Sequence, residues 1–255
     1  MELHTNRSPF PPGTEDTRGP PLDEVVREME QHPLHREIYF RPAHALVSIM
    51  EGARCRVCAC LFSGPNTSSQ GFYCGGWYCA QFPRDPTFTS FVATCVGLQD
   101  AFYDHLLENG GHLFEKLQGL TAHQEWWWVT LNVFRQACEL SLDILGPRWR
   151  ELLAQHYGSD VGRVIKGIQE MRIIPSEYYK YKHCSFIVEL KNGTEYVFDP
   201  TGVQFGPEWS LLSPYDNYMG RVRSSTGTWQ QVQRLGANAE RSRRSRSDGH
   251  HRHKH

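Results

Sequence analysis

Tyr181–Gly206 reads YKHCSFIVELKNGTEYVFDPTGVQFG, and its centre decides the fold. Cys184–Leu190 (CSFIVEL) and Thr194–Phe198 (TEYVF) carry the β-branched and aromatic residues that favour strands. Between them stands Lys191-Asn192-Gly193, and Asn-Gly supplies the positive φ angles of a tight hairpin turn. The two runs are therefore expected to pair antiparallel. That pairing has a chemical consequence, because His183 opens the first strand and Asp199 follows the second, so the fold-back brings imidazole and carboxylate to one end of adjacent strands. A carboxylate placed there would hold the ring by its Nδ1–H, fix the tautomer and stabilise the imidazolium. A nucleophilic thiol or hydroxyl within reach of the other ring nitrogen would complete a catalytic set. The plainer reading is structural: Asp199-Pro200-Thr201-Gly202 is also a good turn in which Asp caps its own backbone.

Upstream of the hairpin the chain reads as helical. Pro86-Thr87 opens a segment whose Phe91, Val92, Cys95, Leu98, Phe102 and Leu106 recur at three and four residues, and Asn109-Gly110-Gly111 closes it. A second helix is predicted from Thr121, with Gln124 completing a capping box, through Leu131, Phe134, Cys138, Leu142 and Leu145 until Gly146-Pro147 interrupts it. Arg148–His156 and Asp160–Met171 are read as further short helices. Leu22–Gln31 is another, His44–Phe82 is read as loops and short strands, and Trp209–Tyr218 as irregular but packed through its aromatics. Of Trp126, Trp127 and Trp128, which point about 100° apart on a helix, packing is the expected role for one or two.

Residues 1–21 are polar and proline-rich and read as a disordered arm, 22–233 as one α+β domain, and 234–255 as a disordered basic tail of Arg, Ser and His. The fold class is thus α+β, a helical middle with a small antiparallel sheet. The 255 residues hold 27 Lys+Arg against 28 Asp+Glu, but Arg241–His255 takes six of the bases and one acid, leaving 21 against 27 elsewhere. A mildly acidic body argues against a nucleic-acid-binding fold. No apolar run is long enough for a transmembrane helix and the N-terminus lacks the pattern of a secretory signal, so an intracellular location, cytoplasmic or nuclear, is expected.

Tyr181–Gly206 resembles the His–Asp half of papain-like cysteine enzymes of the transglutaminase, arylamine acetyltransferase and protein-deamidase kind, in which a His begins one strand and an Asp ends the next. The resemblance covers about a tenth of the chain. It implies a papain-like or transglutaminase-like core, His183 as base, Asp199 as its orienter, and a nucleophilic Cys upstream at the start of a helix packed on the sheet. Cys138 stands at the matching place in chain order, with Gln136 like the polar residue that precedes such a cysteine. Implied with it is cysteine-dependent acyl transfer or amide hydrolysis on a protein or small amide or ester, without a cofactor. Gln204 is a candidate donor lining the site. The periodicity above, however, puts Cys138 inside a helix, whereas thiolates are favoured at helix N-termini. The triad therefore requires the helix to break near Asn132–Gln136 so that Cys138 heads a new one.

A rival site is the cysteine-rich stretch. Cys55-x2-Cys58, with Cys60 near, and Cys74-x4-Cys79 supply the four thiolates that a tetrahedral zinc takes. The alternative function is accordingly a non-catalytic interaction module stabilised by a structural zinc, with buried thiols as the plainer account. Cys74 or Cys79, beside Gly75-Gly76, is the second choice of nucleophile.

Overall fold

The structure, a computed structural model, describes residues 49–62, 73–75, 78–109, 117–155, 160–174, 182–222 and 230–252. The expected arm at 1–21 and the helix at Leu22–Gln31 lie outside them. Helix α1 spans Pro86–Glu108, α2 Ala122–Val133, α3 Cys138–Gln155 and α4 Asp160–Val164. Strands β1 (Ile165–Ile173), β2 (His183–Leu190) and β3 (Glu195–Phe198) follow, then a 3-10 turn at Gly202–Phe205, β4 (Leu212–Pro214), α5 (Tyr215–Val222), β5 (Gln230–Arg234) and α6 (Ala237–Arg252). The strands form one antiparallel sheet of five in the order β4-β3-β2-β1-β5. The class is α+β.

Contacts group the chain into two compact units, each assembled from discontinuous segments. One takes the described parts of 1–83, 103–135 and 201–211, the other those of 84–102, 136–200 and 212–255. No composition break marks these borders.

The second unit is organised by the β2–β3 hairpin. Gly193 adopts φ +84° and donates its N–H to the Leu190 carbonyl at 2.9 Å, while Thr194 N–H bonds the Asn192 side chain at 2.9 Å. The register pairs Phe186 with Phe198 and Glu189 with Glu195. Phe186 stacks on Phe198 (5.9 Å between centroids) and Trp149 of α3 meets Phe198 edge-on at 5.8 Å, so α3 covers this face of the hairpin. Phe88 and Phe91 of α1 pack on Tyr196 of β3, as the three-and-four spacing predicts. Asp85 caps α1 by accepting the Phe88 N–H at 2.8 Å, ahead of Pro86, whose missing N–H costs nothing at a first helical turn.

Several sequence expectations are corrected. The helix predicted from Thr121 to Leu145 is two helices: α2 keeps its capping box, with Thr121 N–H on Gln124 Oε1 at 2.8 Å, but ends at Val133. Phe134–Ala137 turns out of the helix, with Gln136 at φ +62°, and α3 then runs straight through Gly146-Pro147. Gly146 is where the buried Glu170 comes close, since a Cβ there would stand 3.1 Å from its Oε1. Asp160–Met171 is not a helix but one short turn followed by β1, and a register shift between Ile165 and Gly167 spaces the buried Ile165 and Ile168 three apart, which imitates a helical period. Within Trp209–Tyr218, read as irregular, Leu212–Pro214 is β4 and residues 215–218 begin α5. The stretch after Gly236 is also helical. Glu170, fully buried on β1, accepts the N–H groups of Gly236 and of Asn238 (3.0 Å) and the Gln233 amide (2.7 Å), so its carboxylate caps the start of α6. Asp143 of α3 accepts from Asn238 Nδ2 at 2.7 Å and from Ser242 Oγ at 2.8 Å. The partners that order this polar segment lie 66 to 99 residues upstream, where composition cannot see them.

Candidate active site and cysteine cluster

Cys138 is the first residue of α3. Ser141 N–H donates to the Ala137 carbonyl at 2.8 Å, so the N–H groups of Cys138 and Glu139 precede the helical ladder and form part of the helix's positive end. Reaching this geometry requires the left-handed turn at Gln136, a conformation that costs an L-residue about 1–2 kcal/mol. Such strain persists where surroundings enforce it, here by the buried Phe134 and Ala137 on either side.

Opposite the helix start, β2 opens at His183 and the chain leaves β3 into Asp199. Both are buried, and His183 Nε2 lies 2.7 Å from Asp199 Oδ2. The fold-back thus makes the expected pair with the ring turned the other way: the carboxylate holds Nε2, not Nδ1, so Nδ1 is the nitrogen left to serve the Cys138 sulfur. That sulfur is hydrogen-bonded to the His183 side chain and to the thiol and backbone N–H of Cys184, and it lies 3.6 Å from the Lys182 carbonyl. Tyr218, buried on α5, donates its hydroxyl to the same Asp199 oxygen at 2.7 Å. The Asp199-Pro200 turn is fastened by Gln99 of α1, whose Nε2 donates to the Pro200 carbonyl at 2.9 Å.

These contacts set the ionisation of the pair. The Cys184 thiol donating to the Cys138 sulfur is the largest influence on it; burial opposes ionisation, and the His183 hydrogen bond and charge add to the lowering, so Cys138 is held down at about 4. For His183, burial alone would push the pKa down, but the charge and hydrogen bond of Asp199, with the Cys138 sulfur, carry it up to about 10. The two shifts describe one thiolate–imidazolium pair. Cys184 is pushed far up, because its proton is the one shared with Cys138.

Sequence reasoning missed Tyr218 and Cys184. Tyr218 lay in a stretch legible only as packed aromatics. Cys184 alternates with His183 along a strand and carries no motif of its own. Gln204 lies in the other unit, buried on the 3-10 turn, with its backbone N–H on the Thr201 carbonyl at 3.0 Å.

The first unit holds the cysteine cluster. The sulfurs of Cys55, Cys58, Cys74 and Cys79 all lie within 4.8 Å of one another. Cys58–Cys74 and Cys74–Cys79 are each 3.8 Å apart. Tetrahedral zinc with bonds of about 2.3 Å spaces its sulfurs by about 3.8 Å. Ala59 at φ +60° bends the Cys55-x2-Cys58 loop, its N–H on the Cys55 carbonyl at 2.8 Å, and Ala80 N–H donates to Cys74 Sγ at 3.1 Å. Amide-to-sulfur bonds of this kind orient metal-binding thiolates. Cys60 is a fifth thiol, 3.2 Å from Cys58. Thiols of Cys58 and Cys79 donate to Cys55 and hold it down at about 2, while both donors are pushed up. None of the eight cysteines is in a disulfide.

Trp127 and Trp128 are buried, and Trp126 packs edge-on against Trp127 beneath the Arg56 guanidinium, so this triplet is packing. Among the described residues no helix is long and apolar enough to cross a membrane. Comparison with family models, with curated proteins and with solved structures finds no match.

Proposed function

We propose that the chain is a cysteine-dependent acyltransferase or amidohydrolase of papain-like or transglutaminase-like arrangement, acting on an amide or ester through Cys138, His183 and Asp199. The observation that carries the reading is the position of Cys138: it heads α3, and its sulfur meets a buried imidazole already paired with a carboxylate. Helix with Cys, strand with His and strand with Asp follow the order of those enzymes. In the reaction, the Cys138 thiolate adds to the carbonyl carbon. The N–H groups at the helix start stabilise the oxyanion. His183, already protonated, delivers its proton to the leaving amine or alcohol from Nδ1 while Asp199 holds Nε2. A thioester on Cys138 remains. Water resolves it in deamidation or hydrolysis; an amine resolves it in transglutamination or acetyl transfer. The test is a small activated ester such as nitrophenyl acetate, with phenolate release and intact mass followed together. A burst of one equivalent per chain with the acetyl group on Cys138, absent in Cys138→Ala and His183→Ala, is expected. Acetylation spread over lysines and other cysteines would remove the reading.

A second reading is favoured by the sulfur spacing of the cluster: a structural zinc held by Cys55, Cys58, Cys74 and Cys79. On its own it describes a zinc-stabilised interaction module. It does not compete with the first, since the two groups of residues share no member. Protein isolated without chelator should carry one zinc per chain, released when the four thiols are titrated with a mercurial; metal-free protein with all eight thiols equally titratable would remove it.

A further inference from the structure

Cys184 donates its thiol to the Cys138 sulfur and forms no covalent bond in the acyl-transfer chemistry. It follows His183 on β2, is fully buried, and takes part in no disulfide. Three consecutive residues wrap the Cys138 sulfur: the carbonyl of Lys182 at 3.6 Å, the His183 ring, and the N–H and thiol of Cys184. Helix α3 packs on β2, and Glu139, next to Cys138, is ion-paired at 3.2 Å with Arg172, the residue opposite Cys184 in the β1–β2 ladder. The Cys138 sulfur, 3.6 Å from the carbonyl two residues before Cys184 and hydrogen-bonded to the Cys184 thiol, faces its partner across α3 and β2, the approach from which a disulfide forms with little backbone displacement.

We propose that Cys138 and Cys184 form a dithiol that hydroperoxides oxidise to a reversible intramolecular disulfide, switching the nucleophile off. The proposal rests on the reading that Cys138 is the reactive thiolate. In the first step the thiolate sulfur attacks the peroxide: an S–O bond forms, the O–O bond breaks, and the departing hydroxide leaves as water with the proton from His183. Cys138 is then a sulfenic acid. In the second step the Cys184 sulfur attacks it: the S–S bond forms, the S–O bond breaks, and the hydroxide leaves as a second water with the Cys184 proton. Two thiols lose two electrons and one hydrogen peroxide becomes two waters. A resolving thiol hydrogen-bonded to the nucleophile protects it from the irreversible sulfinic and sulfonic acids. Dithiothreitol returns both thiols by exchange.

The test treats reduced protein with a slight excess of hydrogen peroxide, blocks remaining thiols with iodoacetamide and maps peptides by mass. Expected is a linked Cys138–Cys184 peptide pair, with alkylation of Cys138 reduced by about tenfold or more and restored by dithiothreitol. In Cys184→Ser and Cys184→Ala, checked for native fold by circular dichroism, Cys138 should go to sulfinic acid and dithiothreitol should not restore it. Peptide-level mapping separates this pair from disulfides within the Cys55–Cys79 cluster. Rapid alkylation of Cys138 in reduced protein, with no linked pair and with the variants recovering like wild type, overturns the proposal and leaves the acyl-transfer reading standing. A linked pair in protein that fails to form an acetyl-Cys138 enzyme supports the dithiol and defeats the acyl-transfer reading instead. Failure of both linkage and rapid alkylation overturns both.

Discussion

The ionised pair at the head of α3 gives Cys138 a reactivity profile whose advantage changes sign with pH. An ordinary thiol with a pKa near 9 is about one part in 10⁴ thiolate at pH 5, and its alkylation climbs about tenfold per pH unit until that pKa is reached. Cys138, held at about 4, is already mostly thiolate at pH 5. Intrinsic nucleophilicity works the other way. With a Brønsted slope of about 0.4–0.5, a drop in pKa from 9 to 4 lowers reactivity per thiolate by about 100–300-fold. Combining the two, Cys138 should react about 30–100 times faster than an ordinary thiol at pH 5 and about 3–10 times faster at pH 6. The advantage vanishes near pH 7 and reverses above it. The shape of the curve, flat from about pH 5 upward and falling only as pH approaches 4, is therefore more diagnostic than speed at neutral pH.

The assay is a short pulse of iodoacetamide between pH 4 and 9, with each cysteine quantified on its own peptide. Reading per residue matters because Cys55 is also held low, at about 2, by its neighbours' thiols. His183→Ala removes one of the two groups that hold Cys138 down and should restore a rate that rises with pH. A wild-type Cys138 whose labelling rises tenfold per unit from pH 5 to 8, like an ordinary thiol, would refute the ion pair and with it the reasoning that α3 begins at a nucleophile.

Asp199→Asn should collapse the pair from the other side: with the carboxylate charge gone, burial is the dominant influence on His183, its pKa falls from about 10, and labelling of Cys138 at pH 5 drops. A pH titration of thiolate absorbance near 240 nm follows this directly, and an unchanged titration would contradict the assignment. Tyr218→Phe removes a buried hydroxyl that donates to a carboxylate at 2.7 Å and should cost about 1.5–3 kcal/mol in urea unfolding. Glu170→Ala strips the acceptor from the N–H groups of Gly236 and Asn238 at the start of α6, leaving buried donors unsatisfied at about 1–3 kcal/mol each. Hydrogen exchange at residues 237–242 should then accelerate well beyond that of β2, whereas equal protection would mean that α6 is held by something else.

The hairpin was legible because its information is local: Gly193, though not Asn192, takes the left-handed turn conformation, the turn sets the register, and the register puts His183 and Asp199 at one end of adjacent strands. The capping box of α2 was legible for the same reason. Where structure depends on distant partners, the sequence pattern misleads. A bulge in β1 reads as a helical period, and α6 reads as a solvated tail because its caps, Glu170 and Asp143, belong to β1 and α3. The cysteine spacing named the four candidate ligands, but only the folded loops bring their sulfurs within 4.8 Å.

The break at Phe134–Ala137 is the one the triad required and the local pattern concealed. Phe-Arg-Gln-Ala contains neither Gly nor Pro, and its apolar residues continue the stripe from Leu131 to Leu142, so local preference favours one unbroken helix. In that unbroken helix the Cys138 N–H would be committed to a backbone carbonyl one turn earlier, and its sulfur would pack mid-helix with no field to ionise it. The observed chain instead accepts a left-handed Gln136 one residue before Ala137 and exchanges that strain for a thiol at a helix head facing His183. Local preference favours one helix across these four residues, and the fold departs from it to set Cys138 at a helix start beside His183.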